Sequence, residues 1–313
     1  MSMINEWKPD FDELTTHSGQ PLSPEMRFVV PPPPEIGEIK TAFTNVGVKK
    51  PMTTGKRIFY SVLVMLLCVI ALSLIMYFGM QPKMDELPIL ILVNVGISAI
   101  PAMLVYFFVN VNFEVSYVGG DGAARFQMKD PEEQPHKSDV VVFADAADIK
   151  TAETRHFTNG VYTGTSYSYS WHDADGRSLM TLGGNYHGQD GVPKKLDSPY
   201  FFALVCEAIY NENAIQRMAD EFERNGFVSF NIAKNKKVKV GDGYLEFDFG
   251  GKVDRVSSED IKSLSIDSGT FKINTNDASF FGSKGKFRFQ YGQMGNAQLF
   301  LYALEQLAGF QFD

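Results

Sequence analysis

Two uninterrupted apolar runs dominate the first third of the chain. Residues 58–80, IFYSVLVMLLCVIALSLIMYFGM, and residues 87–109, LPILILVNVGISAIPAMLVYFFV, contain no charged side chain. Each is 23 residues long. As a helix rising about 1.5 Å per residue, either would cross a hydrocarbon core about 30 Å thick. Tyr60, Tyr77, Phe78, Tyr106 and Phe107 stand toward the ends of the runs, where interfacial aromatics belong. The pattern predicts two transmembrane helices; two buried core helices are the competing reading. The 57 preceding residues and the lack of a small-residue cleavage pattern argue against a signal peptide. The connector QPKMDE is short enough to make the runs a tight hairpin, with both long ends of the chain on one side of the bilayer. Lys49, Lys50, Lys56 and Arg57 crowd the start of the first run, whereas the connector has Lys83 offset by Asp85 and Glu86. The positive-inside bias then puts both termini in the cytoplasm. Within the second run, Pro101 is expected to kink the helix. Asn94 either hydrogen-bonds to a neighbouring helix or marks a path through an oligomer.

The flanks follow other patterns. Residues 1–56 show little apolar periodicity and include VVPPPPEIGE at 29–38. They are expected to be mostly unstructured, with Pro31 to Pro34 in a polyproline II segment that serves as a linker or meets a proline-reading partner. Residues 4–14, INEWKPDFDEL, form an apolar island suited to a short docking peptide. Beyond Asn110 the chain alternates as strands do. FEVSYV and AARFQM flank a glycine turn, and a longer hairpin turns at Asp175-Gly176. A helix follows from the N-cap Ser198 and Pro199 to the stop at Gly226, with Asn211 and Asn213 as a break within it. The order then recurs: KVKV, a glycine turn, YLEFDF, VSSEDIKSLSI, TFKINT, GKFRFQYG and a final helix over 296–310.

Two phrases set the register of this recurrence. Gly120-Asp121-Gly122 with Phe126 lines up with Gly241-Asp242-Gly243 with Phe247, and Asp148-Ile149-Lys150 lines up with Asp260-Ile261-Lys262. The first pair is 121 residues apart and the second 112, so the first copy holds nine more residues between the phrases. KDPEEQPHK, residues 129–137, has that length and a loop composition. A duplicated domain accounts for both phrases. The order of hairpin, Asp-Ile phrase, further strands and closing helix resembles the bacterial pleckstrin-homology-like (GRAM-like) domains found beside transmembrane hairpins. The resemblance covers about residues 112–313. It implies a bent sheet of about seven strands capped by the helix and carries no active site with it. The expected fold class is therefore a membrane protein of α+β class: a two-helix transmembrane hairpin followed by two tandem pleckstrin-homology-like bent β-sheet or barrel domains, each with a C-terminal helix. The boundaries are 1–56 for the N-terminal segment, 57–110 for the hairpin, 111–225 for the first domain and 226–313 for the second.

Charge and candidate chemistry narrow the function. The net charge of -8 argues against nucleic acid as a partner. His17, His136, His156, His172 and His187 share no metal-ligand spacing, and Cys68 and Cys206 stand far apart. No phosphate-binding loop or nucleophile elbow occurs. The expectation is a protein without enzymatic activity, cofactor or metal. Lys284, Lys286 and Arg288 alternate with Phe287, Phe289 and Tyr291, and Lys234, Lys236, Lys237 and Lys239 cluster before the second glycine turn. These cations form either a surface for acidic lipid or a partner, or an ordinary solvated face. Tyr167, Tyr169 and Trp171 share one strand face, which is either core or a protein-binding patch. The expected role is a binding scaffold, an accessory subunit of a membrane assembly. Its partners would be the lipid bilayer, other membrane or cytoplasmic proteins, or further copies of itself. A lipid-headgroup sensor and a subunit of an oligomeric channel or transporter are the alternatives.

Overall fold

The computed structural model describes residues 6–50, 54–80, 87–108, 112–188, 191–279 and 282–310. Val109 and the connector 81–86, with Lys83, Asp85 and Glu86, lie outside them. The described residues form an α+β protein with four α-helices and fourteen strands, and every pairing between those strands is antiparallel. Strands β1 (Ile39–Thr44), β2 (Phe113–Gly119), β3 (Gly122–Met128) and β4 (Lys137–Val142) make a four-stranded meander. Strands β5 (Asp148–Thr158), β6 (Val161–His172) and β7 (Ser178–Tyr186) make a three-stranded one, and α3 (Pro199–Asn225) follows. The same order then recurs. Strands β8 (Phe227–Ala233), β9 (Lys236–Gly241), β10 (Tyr244–Phe249) and β11 (Lys252–Ser257) form a second four-stranded sheet. Strands β12 (Ile261–Asp267), β13 (Thr270–Thr275) and β14 (Lys286–Gln290) form a second three-stranded sheet, closed by α4 (Ala297–Ala308).

The apolar helices α1 (Thr54–Met80) and α2 (Leu87–Phe108) are inserted between β1 and β2. One helix, over Thr54–Gly79, is long and apolar enough to cross a membrane, and α2 has a shorter apolar stretch, Ile91–Phe107. Asn45 clasps the neck from which the helices leave: its side chain donates to the Asn112 carbonyl (3.0 Å) and accepts from the Glu114 N–H (2.9 Å). Pro101 is accommodated inside α2.

Residues 6–50 of the N-terminal segment are packed on the first sheet, contrary to the expectation of a linker. They supply β1, and Leu22, Phe28, Val29, Ile36, Ala42 and Val46 are buried against Phe113, Val115, Tyr117 and Phe126. Trp7 packs edge-on against Phe28 and Tyr117, with ring centroids 5.3 Å apart in both cases. Residues 34–36 of the proline run make one 3-10 turn, and the Tyr117 hydroxyl donates to the Val30 carbonyl. Burying side chains of this size stabilises by about 1.5–3 kcal/mol each. Their irregular spacing hides that from any helical or strand period.

Local signals set the helix ends. Ser198 accepts from the Tyr200 N–H as N-cap of α3, and Gly226 closes the helix in the left-handed conformation. Asn211 and Asn213 do not break α3; Asn213 donates to the Ile209 carbonyl one turn back and to the Gly120 carbonyl of the first glycine turn. The second glycine turn meets its own closing helix too, the Gly243 N–H donating to the Leu307 carbonyl at 2.9 Å.

The register differs from the sequence alignment by one residue. In the first sheet Val118 pairs with Ala123, so Gly120-Asp121 forms the tip; in the second Gly241 pairs with Tyr244, so Asp242-Gly243 does. The matched offset is therefore 122, and a one-residue slip turns every side chain to the opposite face. Phe126 faces the N-terminal segment, whereas Phe247 faces inward and stacks on Phe287 at 3.8 Å. Arg125 is the residue that corresponds to Phe247. The glycines explain the slip. Gly243 supplies a positive φ of 72°, whereas Gly119 and Gly122 admit close approach: a Cβ there would strike the carbonyls of Ile36 and Val141 respectively. The extra length of the first copy is divided between two connections, 129–136 against Gly250-Gly251 and 143–147 against residues 258–260.

One continuous core runs through α3, β5 to β10, β13, β14 and α4. Asn296, in the left-handed conformation before α4, ties the two halves together. Its Oδ1 accepts from the Ile149 N–H (3.0 Å) and the Tyr210 hydroxyl (3.0 Å), and its Nδ2 donates to the Ala147 carbonyl (3.1 Å).

Candidate functional site

Of the cations singled out in the sequence, Lys236, Lys284, Lys286 and Arg288 line grooves at one end of the second strand set, where the β8–β9 and β10–β11 turns lie. Two open grooves meet there at Phe249. The smaller, about 200 Å³, is lined by Lys236 and Arg288 with Phe249, Phe289, Gln290 and Gln293. The larger, about 770 Å³, runs between β11 and the start of β14 and carries Lys252, Arg255, Lys284 and Lys286.

Their electrostatics differ. In the larger groove Lys252 pairs with Asp254 (2.9 Å) and Lys284 with Asp277 (3.4 Å), and Asp260 adds a third acid. The smaller groove has two cations and no acid in its lining; Lys236 lies 5.8 Å above the Phe249 ring and Arg288 is exposed. Lys239 is committed elsewhere, with its ammonium 2.7 Å from Glu246 and 4.7 Å above the Phe227 ring. Lys234 is exposed in the β8–β9 turn, and Lys237 is exposed within electrostatic reach of Glu221. Lys284 falls before β14, so the expected three-cation stripe divides between the grooves, while Phe287 and Phe289 are buried on the opposite face. The charge also divides along the chain: residues 111–225 carry 10 Lys and Arg against 18 Asp and Glu, and residues 226–313 carry 11 against 10.

A second polar assembly lies inside the first strand set, and the sequence reading passed over it. Glu114 and Arg125 form a 2.6 Å ion pair between the sheets, each side chain 15% exposed. His17 is buried beside them, 2.7 Å from Thr41 Oγ1 and 3.0 Å from Ser116 Oγ; burial lowers its pKa to about 3, so the ring is neutral. Farther along, Glu153 accepts from the hydroxyls of Tyr169 (2.9 Å) and Tyr200 (2.7 Å). Glu207 on α3 is 4% exposed, and burial together with the nearby Glu153 charge raises its pKa to about 7. Burial likewise raises the pKa of Tyr167 to about 12. Neither an acid-Ile phrase nor a turn signal points to this cluster. The one available sign was Glu207 on the apolar face of a predicted helix.

The aromatic patch reading is corrected. Tyr167, Tyr169 and Trp171 are buried beneath α3 and are core, so they offer no docking face. Asn94 donates to Ser73 Oγ of α1 at 3.2 Å, a helix–helix bond. Among the described residues no group of three His, Cys, Asp or Glu is placed to hold a metal ion. No protein-family model and no curated protein sequence matches the chain.

Proposed function

We propose that this chain is a non-enzymatic, membrane-anchored binding scaffold with two pleckstrin-homology-like domains on the cytoplasmic side, acting as an accessory subunit of a membrane assembly. One observation carries the reading: an apolar helical hairpin is inserted into a loop of the first of two like-ordered strand sets. Leu66, Leu67, Ile70, Leu74 and Ile75 on α1 are all more than half exposed. Leaving such side chains in water costs about 1.5–3 kcal/mol each, which a lipid environment removes. The Asn94–Ser73 bond ties α1 to α2, the kind of interhelical hydrogen bond found between helices in a dry medium. A short tether raises the local concentration of whatever the grooves bind, so weak affinity suffices. The domain boundaries under this reading are 6–44 with 113–225 for the first unit and 226–313 for the second. The test is purification of the tagged full chain from native membranes after mild crosslinking. The expected result is a stoichiometric partner protein; a chain recovered alone under all solubilisation conditions overturns the scaffold role.

The Lys236–Arg288 groove favours a second reading, a sensor of anionic headgroups. Lys236→Ala with Arg288→Ala would then weaken binding of the chain's cytoplasmic face to added anionic vesicles, and unchanged binding removes that reading.

A further inference from the structure

The strongest unexplained surface lies on the first strand set. β5 has 11 residues and β6 has 12, against 7 and 6 for their counterparts β12 and β13. The extra length forms a ribbon that passes Arg155 and closes in an Asn159-Gly160 turn, with φ 51° and 78°. Its tip carries Phe157, 61% exposed, and Val161, 66% exposed, with the Tyr162 ring 5.9 Å from Phe157. Residues 191–198 add Val192 and Leu196, 52% and 53% exposed. They adjoin the ribbon, since a Cβ at Gly191 would strike the Arg155 guanidinium.

The direction of the ribbon follows from the topology. β1 ends, and β2 begins, at the end of the sheet from which α1 and α2 leave. Lys49, just before α1, pairs with Asp197 at 3.4 Å, so residues 191–198 stand at that same end. β4 finishes at the opposite end, where Val142 pairs with Gly122 and the Phe143 N–H donates to the Asp121 carbonyl, and β5 starts a few residues later. It therefore runs toward the helices. Three residues beyond Arg155, at about 3.3 Å each, carry the tip about 10 Å farther. That is comparable with the depth at which interfacial segments seat their apolar side chains.

The geometry points to a second, non-spanning membrane contact: the β5–β6 tip and residues 191–198 seat in the boundary between headgroups and acyl chains. Phe157, Val161, Val192 and Leu196 enter the apolar layer, and Tyr162 sits at its edge. Arg155, Lys194 and Lys195 flank them at headgroup level; Asp197 is paired with Lys49, and the acids Asp130, Glu132 and Glu133 stand on the separate β3–β4 connection. The elongated hairpin belongs to the strand set that carries α1 and α2, and the counterpart in the other set lacks it. The contact would fix the first strand set against the bilayer instead of letting it swing on the neck. This inference rests on the reading that α1 and α2 cross that bilayer.

The test uses the full chain with Cys68→Ser; Cys206 is fully buried and its thiol pKa is raised by burial, so it does not react. Single cysteines replace Val161, Asp175 at the opposite end of β6, or Leu66 in α1. Each carries an environment-sensitive fluorophore, and the protein is reconstituted into phosphatidylcholine–phosphatidylglycerol vesicles containing an acyl-chain quencher. The expected result is emission at 161 that is blue-shifted and quenched severalfold more than at 175, with the effect diminished by Phe157→Asp. Quenching at 66 with 161 behaving like 175 overturns the second contact and leaves the spanning helices standing. No quenching at 66 removes the membrane reading itself. A blue shift at 161 without quenching means that the tip is covered by protein, which also overturns the lipid contact.

Discussion

Glu207→Gln isolates one titrating group in the polar seam under α3. Glu207 is 4% exposed and faces Glu153 of β5, Tyr169 of β6, Tyr200 of its own helix and Tyr291 of the second strand set. Burial first, and the Glu153 charge second, raise its pKa from 4.5 to about 7. The native state therefore holds the proton more tightly than the unfolded chain. The stability that this provides is complete below about pH 4.5 and is lost as pH rises through about 7. At about 1.4 kcal/mol per pH unit, the interval corresponds to about 3.5 kcal/mol. Glutamine keeps the shape and stays neutral throughout. The two proteins should then be nearly equally stable at pH 4.5, and the variant should exceed wild type by up to about 3.5 kcal/mol at pH 8. Denaturant unfolding of the full chain in micelles, followed by the intrinsic fluorescence of Trp7 and Trp171, measures this, and the difference between the curves cancels every other titrating group. A difference that does not change with pH refutes the reasoning. Glu153→Gln should shift the midpoint of the difference to lower pH, because it removes the second cause.

Four further outcomes are expected. Phe28→Ala should cost about 3–5 kcal/mol, because Phe28 is 1% exposed in the core of the N-terminal segment; a change within about 0.5 kcal/mol in the same unfolding assay would show that the segment is not docked. Arg125→Ala should cost about 3 kcal/mol by leaving Glu114 without its partner, and Glu114→Leu with Arg125→Leu should recover most of it; a double variant no better than the single contradicts that account. Asn296→Ala should cost about 2–3 kcal/mol, since it removes three hydrogen bonds and leaves a left-handed backbone at φ 57°, with accelerated amide exchange at Ile149 as the site-specific readout. Lys239→Ala should leave anionic-vesicle binding unchanged while Lys236→Ala weakens it, because Lys239 is held by Glu246 and Phe227; equal effects would point to a diffuse charge surface.

Much of the secondary structure is legible in the residues. Asp175-Gly176, Ser198-Pro199 and Gly226 mark turn and helix ends through backbone chemistry that acts within four residues, so their signal survives without tertiary context. The first strand of each set was missed. Phe227–Ala233 follows a helix without a turn signal beyond Gly226, and Ile39–Thr44 is cut off from its sheet partner by the whole apolar insertion. Of the candidate cations, Lys236 and Arg288 meet in one groove and Lys239 does not, which depends on the acid that stands across the strand from Lys239.

By itself the sequence determined what short-range physics governs: two long apolar runs, the alternation of strands, the helix caps and an order of elements stated twice. Tertiary structure alone decided what depends on distant partners. It folded residues 6–44 onto a sheet that begins 69 residues later than the last of them, because buried apolar area rewards contacts regardless of spacing. It shifted the repeat by one residue, because in the first glycine turn the approach of the Ile36 and Val141 backbones sets the pairing, and in the second the positive φ of Gly243 does. It put Arg125 where the other copy has Phe247, and so gave the first strand set an interior ion pair with Glu114 at the position where the second stacks Phe247 on Phe287.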